Sequence, residues 1–299
     1  MPDFDRSRAW MGRSIAYAVF RTQFTELNSQ YWAGVPSELL SRRFVADHHG
    51  GDDFKTALQV RSDSWNAVGH SVATYAERFE IHRGWSRRLT LILLTSCFER
   101  FLDSISAAAV ASDPLRKPGF PKPVDGASFL KHGTDVPSLS DPLTVGDWSR
   151  RISVYTKNFG DPPAALRAAE GELERLRVHR NQIAHQFGLD DGIVRPGAQP
   201  SARPISHDSL IKLFDTVFRV VDAVEQHLTT DFVGDFETIE IYHLLRTERK
   251  ALLRRTGVSD VAHGGAHWKL FQNFAGEFFG HSPGTQYCRQ MQDFYRTLA

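Results

Sequence analysis

Arg180, Asn181 and His185 have the types and spacing for chemistry at a phosphodiester. The set offers a guanidinium to hold phosphate charge, an adjacent amide to orient it, and an imidazole five positions on to move a proton. That chemistry calls for no metal and no cofactor. The three residues end a run, 166–180, in which Leu166, Ala169, Leu173 and Leu176 recur at three- and four-residue steps, the pattern of an amphipathic helix. Arg180 continues that stripe, seven residues after Leu173 and four after Leu176. A charge therefore falls where burial without compensation is costly, and a local partner, a bound anion or a subunit boundary has to account for it. A five-residue step on a regular helix turns by roughly 140°, so Arg180 and His185 do not share a face. Either the helix loosens near Asn181, a residue that favours helix ends, or the working site is assembled from two copies of the chain.

The elements that must position this set read as helices throughout. Residues 15–24, 38–45 and 54–79 carry helical periodicity, with Asp52 or Asp53 as a cap for the third. Residues 85–111 form a strong helix with a wide apolar face that includes Leu91, Leu94, Phe98, Phe101, Leu102 and Ile105. Six prolines between 112 and 143 predict a long irregular connection. A shorter helix follows over 145–159, and Asp161-Pro162-Pro163 opens the motif helix. Gly188 and Gly192, with Asp190 and Asp191 between them, stop it. Ser206-His207-Asp208 caps a further helix, 210–228, and three more cover 236–255, 266–279 and 286–298. The expected architecture is all-α: an N-terminal helical extension over 1–84, a helical bundle over 85–230 and a C-terminal helical subdomain over 231–299. Within the last, 244–258 has a basic stretch before Gly257 and admits either a helix-turn-helix or a plain packing layer.

Bulk properties bound the function classes. The chain has 299 residues, 41% hydrophobic and 24% charged, enough for a substantial core in one large or two modest domains. A net charge of +1 argues against a basic nucleic-acid coat. Locally, Arg175, Arg177, Arg180, Arg195 and Arg203 surround the motif, and read as a phosphate-attracting patch or as a solvated helix face. Two cysteines, Cys97 and Cys288, exclude a disulfide framework or a cysteine zinc site. The start lacks the pattern of a secretory signal, and the longest apolar run, 89–98, is short of the ~20 residues of a membrane span, so a cytoplasmic protein is expected.

The motif in this setting resembles the HEPN superfamily of helical nucleic-acid-cleaving domains. That group is marked by an arginine, four to six intervening residues and a histidine, commonly with a polar residue directly after the arginine; here these are Arg180, Asn181 and His185. The segment Ser96-Cys97-Phe98-Glu99-Arg100-Phe101-Leu102 is similar to the apolar first helix with its glutamate seen in several HEPN groups. The likeness covers about half of the chain. It implies a metal-independent endoribonuclease whose catalytic residues are Arg180, Asn181 and His185, with Arg175, Arg177 and Glu99 as substrate-binding candidates. It further implies a homodimer with both motifs in one cleft, an RNA substrate, an inhibitory or activating protein partner, and a role as toxin or antiviral effector. HEPN toxins paired with nucleotidyltransferase antitoxins often carry a modified tyrosine two residues past the histidine; this chain has Phe187 there, which has no hydroxyl to modify.

Two other readings use the same residues differently. In a non-catalytic HEPN-like dimerisation or nucleotide-binding module, the pair binds phosphate without cutting. In a purely structural reading, Arg180 pairs with Glu99 or another carboxylate and His185 caps helix-end carbonyls. Metal sites are also conceivable in form, from His263, His267 and His281 or from His48 and His49 beside Asp52 and Asp53.

Overall fold

The structure, a computed structural model, describes residues 3–59, 69–117, 120–134, 139, 142–186, 204–260 and 267–298. Among these the protein is all-α: eleven α-helices and one π turn, with no strand beyond an isolated bridge between Asp53 and Ser71. The chain packs into two compact units. One comprises Met1–Phe20, Glu99–Glu170 and Arg219–Ala299; the other, Arg21–Phe98 and Gly171–Phe218. This division is not serial. Residue 84 lies inside a helix and residue 230 inside the π turn, so the expected boundaries fall on no break in the backbone.

The motif's unit is built from long helices. α1 (Ile15–Asp47) is one helix where two were expected, and it passes through Pro36, which removes a backbone hydrogen bond. Contacts on both sides offset that loss. Tyr31 donates to or accepts from His207 Nδ1 at 2.7 Å and packs on Phe214, while Ser41 accepts from Tyr75 OH at 2.9 Å and Phe44 meets Tyr75 and Phe54 edge-on. The helix expected over 54–79 is instead two. α2 (Phe54–Leu58) is capped by Asp53, whose carboxylate accepts from Thr56 N, and is closed by Gln59 in the left-handed region. α3 (Val72–Ser112) begins well before residue 85; its start is tied to the preceding loop by Val72 N to Asp52 O (3.1 Å) and Ala73 N to Gly50 O (2.9 Å).

In the other unit the proline-rich connection holds a short helix, α4 (Gly126–His132), which had been expected to be irregular. Asp125 caps it, no proline interrupts it, and Gly133 ends it in the left-handed region. Gly126 is required there, since a Cβ would stand 1.7 Å from the Ala111 carbonyl oxygen. α5 (Trp148–Phe159) is capped by Asp147. α6 (Ala164–Gln186) carries the motif, and α7 (His207–Leu228) follows a Ser206 cap, with Leu210, Phe214, Val217, Val220, Val221 and Val224 all buried. α8 (Phe236–Thr247), α9 (Arg249–Thr256), α10 (His267–Phe279) and α11 (Thr285–Thr297) share a core of Tyr242, Leu245, Phe271, Phe274, Met291 and Tyr295. Leu252 and Leu253 of α9 are buried in the same core, so 244–258 serves as a packing layer. These C-terminal helices belong to the same unit as α4, whose Ala127 joins their core.

The start of α1 is held by two carboxyls, those of the buried Glu225 and the half-buried Glu237. Glu225 accepts from Ser14 N and Ser14 Oγ (2.6 and 2.5 Å), and Glu237 accepts from Ile15 N at 2.6 Å, filling donors that a helix start leaves orphaned. Burial, reinforced by the nearby charge of Glu225, pushes the Glu237 carboxyl up to about 8 from its ordinary 4.5. Between those values the folded chain holds more protons than the unfolded one. Stability is therefore full below about pH 4.5 and is lost as pH rises towards 8. Glu237→Gln keeps an acceptor for Ile15 N without the charge. Its melting midpoint, followed by circular dichroism, is expected to fall less steeply across that window than the wild type's; equal slopes contradict the assignment.

Candidate active site

α6 is uninterrupted through the motif, so the backbone does not loosen at Asn181. Leu166, Leu173 and Leu176 are almost fully buried, and Ile183 continues their arc at 6% exposure. Arg180 stands in the same arc, between Leu176 and Ile183, and is half-buried. Its Nη1 donates to Asn181 Oδ1 at 3.0 Å, so the neighbouring amide steers the guanidinium itself. The backbone of His185 lies in the last turn of the same helix, roughly 140° around from Arg180; its side chain lies outside the described residues. On this regular helix the two positions do not share a face.

The substrate-binding candidates separate. Arg177 is held by Glu174 through two hydrogen bonds of 2.6 and 3.0 Å. Glu99 belongs to the other unit and accepts from Arg151 Nη2 at 3.1 Å, while that arginine also donates to the carbonyls of Thr144 and Gly146. Arg175 lines a cavity of about 290 Å³ between α6 and α7, within the motif's own unit. Leu176, Ile205 and Leu213 floor this groove, and His179 and Lys212 stand with Arg175 around it. Glu172 also faces it, with its carboxylate accepting from Thr216 Oγ1 at 2.6 Å. His179 and Lys212 escaped the sequence reading. His179 directly precedes Arg180, but nothing in the sequence pairs the α6 face with the exposed side of α7. Arg195, Arg203, Asp190, Asp191 and Phe187 lie outside the described residues.

Of the histidines considered as ligands, His267 is exposed at the start of α10, and the others are engaged or lie outside the described residues. His48 Nδ1 donates to Phe44 O at 2.8 Å, and His49 Nδ1 accepts from Gly51 N at 3.2 Å. His281 stacks on Trp10, and His263 lies outside the described residues. Among the described residues no group of three or more His, Cys, Asp or Glu side chains is placed to hold a metal, and no helix is long and apolar enough to cross a membrane.

A second polar cavity, of about 530 Å³, occurs in the other unit. It is bordered by the π turn Thr229–Val233 and lined by Asp113, Lys122 and His227. Tyr155 OH lies 2.7 Å from His227 Nδ1, and His227 Nε2 lies 3.4 Å from Asp231. Burial holds the His227 imidazole below its ordinary value and pushes Lys122 down to about 8.

No protein-family model, no curated protein and no solved structure matches the chain. The geometry of α6 therefore carries the functional argument by itself. A charge kept in an apolar arc for function rather than for folding can be exchanged for a hydrophobe of similar volume without loss of stability. Arg180→Leu is expected to melt at or above the wild-type temperature by circular dichroism. A midpoint lowered by several degrees makes Arg180 a structural group.

Proposed function

We propose that this protein is a metal-independent endoribonuclease of HEPN type, acting as a homodimer. The observation that carries the reading is the half-buried guanidinium of Arg180, steered by Asn181 and set five residues before His185 on an unbroken helix beside a cation-lined groove. In the proposed reaction the imidazole of one His185 takes the proton of a ribose 2′-hydroxyl, whose oxygen attacks the adjacent phosphorus. The bond from phosphorus to the 5′-oxygen breaks, and His185 of the second copy gives that oxygen a proton. Arg180 holds the charge that builds on the phosphorane, where a bidentate planar cation is worth most. The products are a 2′,3′-cyclic phosphate and a free 5′-hydroxyl. The need for a 2′-hydroxyl makes RNA the substrate.

Purified protein is expected to cut RNA in the presence of EDTA and to leave 2′,3′-cyclic phosphate ends. His185→Ala is expected to lose at least ~10²-fold in rate, the scale of a lost acid–base group, with its helical circular dichroism intact. Cutting that persists in the variant removes the catalytic assignment. RNA binding with no cleavage by the wild type identifies a non-catalytic module instead.

A further inference from the structure

The groove between α6 and α7 has three features that suit one nucleotide of a single-stranded RNA. Its floor is apolar, made by Leu176, Ile205 and Leu213. Its rim carries Arg175 from one helix and Lys212 from the other, both exposed, so that two cations from separate elements face one concavity. Its size, about 290 Å³, is at the small end of ligand pockets and matches a single base with its sugar. Glu172 adds an acceptor on the same wall. It is 3.9 Å from Arg175 and already receives the Thr216 hydroxyl, so part of its charge is offset. His179, the neighbour of Arg180 in sequence, also lines the groove.

We infer that this groove is a subsite for the nucleotide next to the cleaved linkage: the base lies on the apolar floor, the phosphate sits between Arg175 and Lys212, and Glu172 accepts from a ribose hydroxyl or base amino group. The inference rests on the ribonuclease reading above. Stacking and apolar contact tolerate any base, so the subsite adds affinity and register rather than sequence preference. Its phosphate contact adds a salt-dependent term to binding that is separable from the chemistry at His185.

The test measures binding of a short single-stranded RNA to His185→Ala protein by fluorescence anisotropy across a potassium chloride series in EDTA, with Lys212 intact, as Lys212→Gln and as Lys212→Arg. Cleavage by the same Lys212 variants in the His185 background is followed in parallel. Lys212 is exposed on α7, so these substitutions leave the fold in place. Lys212→Gln is expected to weaken binding severalfold and to reduce the slope of log affinity against log salt by about 0.7, the value of one phosphate contact on a single strand. In cleavage it raises KM and leaves kcat unchanged, and Lys212→Arg restores both measurements. If RNA is bound and cut with unaltered slope and KM in Lys212→Gln, the subsite is refuted while the ribonuclease reading stands. If the wild type neither binds nor cuts RNA, both fall.

Discussion

A guanidinium in an apolar arc is the constraint on which the account depends. Leu166, Leu173, Leu176 and Ile183 bury one side of α6, and a helix that spent all of that arc on packing would place an aliphatic residue at position 180. The chain places Arg180 there and gives its Nη1 the amide oxygen of the next residue. A side-chain amide orients a cation but does not neutralise it. In the proposed reaction the oriented guanidinium is the preorganised group that stabilises a developing phosphorane. The regular helix then sets the second condition. With roughly 140° between positions 180 and 185, the two positions lie on different faces of α6, and in the proposed homodimer a two-fold partner supplies what each face lacks.

The surrounding contacts hold the long helices in place. α1 survives an internal proline because aromatic and hydroxyl contacts grip it before and after Pro36. Its start is pinned by the carboxyls of Glu225 and Glu237, which saturate helix-end donors. In the motif's unit, side chains from α6 and α7 converge on a groove, although neither helix alone has a cluster that would mark it.

Much of this was legible in the sequence. Helical class, the motif helix, its buried stripe, the Asp53 and Ser206 caps and the helical character of the C-terminal region follow from periodicity and capping chemistry, which are local, although the single helix expected over 236–255 is two, α8 and α9. The errors have physical causes that are not local. Separate helices were expected over 15–24 and 38–45, but tertiary contacts carry α1 unbroken through Pro36, and the apolar residues of 54–79 hid the left-handed Gln59 that ends α2. α4 was masked by the prolines on either side of it. Pairing was least visible: Glu99 meets Arg151 from a helix about fifty residues away in sequence, Arg177 turns to Glu174, and His179 and Lys212 share a cavity that only the packing of α6 on α7 creates.

The most direct measurement of the central claim is the RNA-cutting rate of mixed dimers, formed by unfolding and refolding wild-type and His185→Ala chains together at varied ratios. If two copies of His185 act in one shared cleft, a mixed dimer is inactive and the rate follows the square of the wild-type fraction, so that an equal mixture retains about one quarter of the activity. A rate that falls in simple proportion, leaving about half, means that each chain works alone and contradicts the account.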